Sequence, residues 1–134
     1  MEKELVKELI AVAKEARQAA YAPYSDFAVG AAALTKQGSI YSGCNIENAA
    51  YGLSNCAERT AIFKAISEQE VEIEAVAVVG ATAGPCIPCG ACLQVMAEFR
   101  VGKLQVIMAN LKGDVLIKEL AELLTTPFAK EDLE

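Results

Sequence analysis

Glu74-Ala75-Val76-Ala77-Val78-Val79-Gly80 is a short, nearly continuous apolar run. A strand with one wet face alternates apolar and polar residues. This one does not, so it reads as a strand buried on both faces of a sheet. Beyond it, the loop Ala81 to Ile87 leads to Pro88, a residue suited to the first turn of a helix running to about Phe99. Leu104 to Ala109 is a further strand. Strand, helix, strand in that order predicts a right-handed crossover between parallel neighbours, within a sheet covered by helices.

The flanks fit that α/β frame. Leu5, Leu9, Val12, Ala16 and Ala19 recur at helical spacing, predicting an amphipathic helix over 2–20 that the loop around Pro23 ends. Ala28 to Thr35 and Ser39 to Cys44 flank Lys36-Gln37-Gly38 as a β-hairpin, and residues 45–54 form a polar, Gly-containing loop. A second helix is predicted over 56–67, with Ile62, Phe63 and Ile66 as its apolar side. After the turn at Gly113 come a short strand, Val115 to Ile117, and a last helix over 118–124.

Composition narrows the function. With 134 residues, of which 54% are hydrophobic, the chain reads as one domain with a core that needs no disulfide staples. The charged start of the chain is unlike a signal peptide, and no stretch is long enough to span a bilayer, so the expected location is the cytoplasm. Thiols stay reduced there, and five cysteines, an odd number, then read as metal or catalytic ligands. A net charge of −6 without a cluster of Lys or Arg argues against nucleic acid as partner and favours a neutral small molecule.

The chain contains no histidine, which excludes Ser-His-Asp and Cys-His catalysis and leaves a carboxylate as the natural proton carrier near neutral pH. Cys56-Ala57-Glu58 stands at one predicted helix start and Pro88-Cys89-Gly90-Ala91-Cys92 at another. Helix N-termini stabilise thiolates, so Cys56, Cys89 and Cys92 can supply three zinc ligands and leave the fourth place to water. Arg59, adjacent, can donate to those sulfurs and blunt the negative charge of a zinc trithiolate. Asn45 and Glu47 can recognise vicinal hydroxyls, or simply make turn hydrogen bonds. Other readings stand beside these. Asn55 and Glu58 can form a capping box, Cys89 and Cys92 a redox pair, and Cys44 or Cys86 can close a structural zinc site as a fourth sulfur.

The blocks Phe27-Ala28-Val29-Gly30-Ala31, Gly43 to Tyr51, Asn55 to Ala61 and Pro88 to Cys92 carry a resemblance over nearly the whole chain. It resembles the small zinc-dependent cytidine deaminases, in which a glutamate acts as acid and base without binding the metal. The resemblance implies a three-layer α/β/α sandwich with a mixed five-stranded sheet. It implies one Zn2+ per subunit on Cys56, Cys89 and Cys92, with Glu58 as proton shuttle and Arg59 bonded to the thiolates. It also implies a homotetramer with active sites shared between subunits. Phe27, Asn45, Glu47, Ala49 and Ala57 would contact a nucleoside, and Tyr51 and Phe128 would reach in from neighbouring subunits. The implied reaction is hydrolytic deamination of cytidine and 2′-deoxycytidine. Related nucleotide and tRNA deaminases usually have histidine where Cys56 stands, and blasticidin S deaminases lack the pair at 45 and 47; both comparisons favour free nucleosides. Two positions depart from the pattern: Leu93 replaces a usual arginine and Ile87 an often-found serine.

Overall fold

In the computed structural model, which describes residues 1–133, the run at 74–80 lies in β3 (Ile73–Gly80), the central strand of a five-stranded sheet. On one side β3 pairs antiparallel with β1 (Val29–Thr35), which pairs antiparallel with β2 (Ile40–Cys44). On the other it runs parallel to β4 (Arg100–Asn110), and β5 (Val115–Glu119) closes that edge antiparallel to β4. The parallel pair is the one joined through a helix, α3 (Gly90–Phe99), as the strand–helix–strand order predicts.

Successive strand residues point to opposite faces. Ala75, Ala77 and Val79 pack with Leu9 and Ala13 of α1 (Lys3–Ala16), alongside Ala32, Leu34 and Ile107. Val76 and Val78 point the other way, into a larger cluster with Ala61 and Ile62 of α2 (Ala57–Ser67) and Cys92, Leu93 and Met96 of α3. Leu120, from the short α4 (Leu120–Leu123), joins that side. The result is the expected three-layer α/β/α arrangement around a mixed sheet. Close approach between layers needs small residues. A Cβ on Gly30 would lie 1.9 Å from the Ala13 carbonyl oxygen, and one on Gly43 would lie 2.5 Å from the Ala61 nitrogen. These two glycines let α1 and α2 lie directly on the sheet.

Several boundaries differ from expectation. The first helix stops at Ala16 and tightens into a 3-10 turn, Arg17–Ala19, where Arg17 Nε donates to the Ala28 carbonyl at 2.9 Å. Pro88 does not begin α3; it is buried just before Cys89, whose extended backbone (ψ 165°) makes it the N-cap. Asn55 does not cap α2 either. Cys56 takes that place, while the Asn55 amide donates to Thr60 Oγ1 at 3.1 Å, so the alternative reading of Asn55 and Glu58 as a capping box does not hold. Lys118 and Glu119 belong to β5, because they pair with Val106 and Gln105, and Glu119 then caps α4 through a box with Glu122. Strand β4 starts immediately after α3 rather than at Leu104.

Candidate active site

Sheet topology gathers the site at one end. Val29 lies opposite Gly80 and Gly30 opposite Cys44, so the entry to β1, the exit from β2 and the exit from β3 are neighbours. Phe27 precedes the first, Asn45 and Glu47 follow the second, and Cys86 and Cys89 follow the third.

The N-termini of α2 and α3 meet there. In a helix the side chains at N-cap and N3 face each other. On α3 these are Cys89 and Cys92, with sulfurs 3.6 Å apart; on α2 they are Cys56 and Arg59, with the guanidinium donating to Cys56 Sγ at 3.2 Å. Cys56 and Cys89 sulfurs are 3.9 Å apart, and all three thiols lie within 4.8 Å of one another. Tetrahedral zinc at ~2.3 Å from sulfur requires sulfurs roughly 3.8 Å apart, so the donor set fits the metal in both chemistry and spacing. Among the described residues no further cysteine, aspartate or glutamate donor joins this group, and neither Cys44 nor Cys86 is part of it. Three donors leave one tetrahedral position for water or substrate.

Charge is organised around the cluster. Hydrogen bonding from Cys92, then the Arg59 guanidinium, brings the Cys56 thiol down to about 5 against the opposing effect of burial. Cys92, hydrogen-bonded to Cys56 and buried, is pushed up. Arg59 Nε is buried with no hydrogen-bond partner among the described residues. Glu58 lies at the second position of α2 and is only 4% exposed. Burial, aided by the nearby Cys56 thiolate, raises its carboxyl to about 7.

Two adjoining cavities share Ser25, Asn45, Glu47 and Cys56. The smaller, about 220 Å³, is walled by Phe27, Val29, Ala57, Glu58, Val78, Cys86, Ile87 and Cys89. The larger, about 700 Å³, is bounded by Tyr24, Asn48, Ala49, Tyr51 and Arg59 among others. The smaller is walled mainly by apolar side chains, with Glu58 beside the cluster; the larger carries more polar side chains, among them Asn48, Ser54, Asn55 and Arg59. Asn45 and Glu47 sit where they meet.

Both of these residues already hold the walls. Asn45 accepts from the Val29 N–H and donates to the Phe27 carbonyl, each at 2.8 Å. Glu47 accepts from the Tyr24 and Ser25 N–H groups at 2.9 and 3.1 Å and from the Ser25 hydroxyl, which holds its carboxyl below the usual range. One amide hydrogen and one lone pair remain on Asn45, and one acceptor position on Glu47. The turn role and the recognition role therefore coexist.

The chain thus places every expected site residue at the two cavities or the thiol cluster except Phe128, which lines neither. Val29, Val78 and Ser25 also line the cavities, and Cys86, a candidate fourth sulfur on the sequence, is a cavity wall instead; on the sequence Val29 and Val78 are indistinguishable from core strand residues. Leu93 is buried in the α2–α3 side of the core, so its apolar side chain is matched to its surroundings, whereas Ile87 is exposed at the rim of the smaller cavity.

The family profile of the cytidine and deoxycytidylate deaminase zinc-binding region matches residues 3–108. The chain belongs to the cytidine and deoxycytidylate deaminase family. It is 56% identical over 128 residues to a cytidine deaminase of Sporosarcina psychrophila, covering 96% of this chain and 94% of that one. A cytidine deaminase of Halalkalibacterium halodurans is 54% identical over 129 residues, covering 96% and 95%. The crystal structure of the cytidine deaminase from Burkholderia pseudomallei superposes with a TM-score of 0.88 at 49% identity, covering 96% of this chain and all of that one (100%). Within the family's zinc-binding region, the one three-cysteine group among the described residues gives this deaminase-family chain a place for one zinc ion.

Proposed function

We propose that the chain, acting as one deaminase domain, hydrolyses cytidine and 2′-deoxycytidine to uridine and 2′-deoxyuridine with release of ammonia, in the cytoplasm and in pyrimidine salvage. The observation that carries the reading is Glu58, a buried carboxyl in the wall of the smaller cavity beside an incomplete tetrahedron of thiols. Cys56, Cys89 and Cys92 are the ligands that would hold zinc. Bound there, zinc supplies Lewis acidity that brings the pKa of a water toward neutrality. Arg59 offsets the negative charge of the three sulfurs.

Glu58 moves the protons. It takes one from the attacking water and passes it to the pyrimidine ring nitrogen, which makes the amine-bearing carbon electrophilic. The oxygen adds to that carbon. The remaining hydroxyl proton then travels through Glu58 to the exocyclic amine, the C–N bond breaks, and ammonia leaves as the carbonyl forms. Burial raises the Glu58 carboxyl above the ordinary carboxylate range and so eases its protonation, which suits a group that must accept and donate within one turnover.

Phe27, Val29, Val78 and Cys86 give the base an apolar slot, with Ala57 close to the cluster. The ribose falls at the junction, where Asn45 and Glu47 have capacity left, with Ala49 beside it. Glu47→Ala is expected to raise KM for cytidine roughly 100-fold, since it removes a ribose acceptor and frees the loop at Tyr24 and Ser25. Steady-state kinetics check this; an unchanged KM points to a substrate without ribose.

Tyr51, 91% exposed, protrudes beside the larger cavity with Leu53 and Ile46 exposed nearby. A cluster of apolar side chains at the mouth of a site favours a second copy as its cover, supporting a homotetramer in which Tyr51 and Phe128 serve neighbouring sites. No helix among the described residues is long and apolar enough to cross a membrane.

The ultraviolet time course of zinc-replete protein with cytidine tests the whole reading. Conversion to the uridine spectrum supports it. A flat trace with zinc bound overturns it in favour of another amine or a structural metal.

A further inference from the structure

We propose that Gln94 is a positioning residue that fastens the C-terminal segment to α3 and so sets where Phe128 is presented. Its Nε2 donates to the Phe128 carbonyl at 2.7 Å, and its Oε1 accepts from the Phe128 N–H at 3.0 Å. One primary amide thus satisfies both backbone groups of a single residue, which fixes the plane of that residue's backbone and hence the direction of its Cα–Cβ bond.

The neighbours reinforce the clamp. Pro127, just before, has its φ set by the ring. Just after, the Ala129 N–H donates to Asp132 Oδ2 at 2.8 Å at the start of the Lys130–Leu133 turn. Lys130 also reaches Glu98 of α3 at 4.0 Å, an exposed ion pair of little worth. Gln94 therefore sets the register of the segment. Phe128 is left 59% exposed and lines neither cavity of its own chain. An aromatic residue whose backbone is held while it stays exposed is presented, not packed.

Gln94 follows Cys92 by two residues on the same helix. The clamp accordingly ties Phe128 to the rigid element that carries two of the three thiols. This rests on the reading that Phe128 completes the site of a neighbouring copy. A ring that helps to bind substrate without taking part in proton transfer acts on KM rather than on kcat.

Kinetics on zinc-loaded Gln94→Ala, Phe128→Ala and the double variant test the proposal, with zinc content and assembly size measured on each. Gln94→Ala is expected to raise KM for cytidine about tenfold, the equivalent of losing two ordinary hydrogen bonds, with kcat, zinc content and assembly size unchanged. In the Phe128→Ala background the same substitution should add nothing, because the two act as one unit. A raised KM in Phe128→Ala with none in Gln94→Ala overturns the clamp and leaves the role of Phe128 intact. Equal effects of Gln94→Ala in both backgrounds, or a loss of zinc or kcat, make Gln94 a support of α3 and also overturn it. An unchanged KM in Phe128→Ala removes the role of Phe128 and the clamp with it.

Discussion

Glu58→Gln is expected to lower kcat for cytidine by at least ~10,000-fold while zinc content and fold are retained. A single positioned acid–base group is commonly worth ~100- to 10,000-fold, and Glu58 serves more than one proton transfer in the same turnover. Glutamine keeps the size and one oxygen but neither accepts nor delivers a proton at this pH, so the loss reports proton transfer rather than packing. Metal analysis and circular dichroism on the variant separate the two. Activity within tenfold of the parent would remove Glu58 from the chemistry.

The same substitution carries a second signature, in stability. The Glu58 carboxyl rises from its ordinary 4.5 to about 7 in the folded chain. Between those values the folded chain keeps a proton that the unfolded chain gives up, so folding stability falls as pH rises through that window and is flat above it. The shift corresponds to about 3 kcal/mol at most. Glutamine has no such titration. In zinc-stripped protein, Glu58→Gln should therefore gain stability over the parent between pH 5 and pH 8, read as diverging urea midpoints. Parallel midpoints across that range would mean that the carboxyl is ionised at no cost.

How far the sequence reached follows from the range of the forces involved. The buried central strand, its parallel partner and the two cysteine-bearing helix starts were legible, because apolar periodicity and helix-start chemistry are local. The caps were off by one or two residues for a reason that matters. Asn55 and Pro88 are ordinary helix-start residues, yet the chain gives the N-caps to Cys56 and Cys89, which turns both sulfurs toward a common point. Tertiary demand at the metal site outweighs capping preference there. Part of the wall of the smaller cavity is illegible in the sequence, because Val29 and Val78 look like any core strand residue until the register sets Val29 opposite Gly80. Gln94 carries no signal of its role, because nothing in a helix sequence announces that an amide will meet a backbone 34 positions away.

Cys89→Ala should abolish zinc binding, and it is the cleanest of the three cysteines to remove. Cys92 is fully buried in the core on the α2–α3 side, and Cys56 is half-buried and bonded to Arg59, so replacing either disturbs packing or leaves a guanidinium without its partner. Cys89 is exposed, and alanine in its place removes a ligand and little else. Two thiols and water bind zinc far more weakly than three thiolates preorganised on two helix N-termini. Because a metal that binds the folded chain stabilises it by mass action, about 4 kcal/mol at a thousand times the dissociation constant, the expected result has two parts. Parent treated with a chelator and Cys89→Ala should unfold at the same urea concentration. Adding zinc should then raise the midpoint of the parent alone and restore turnover to it alone. Full zinc stoichiometry in Cys89→Ala would take Cys89 out of the ligand set, and a midpoint well below that of the stripped parent would give its side chain a packing role that its exposure does not suggest.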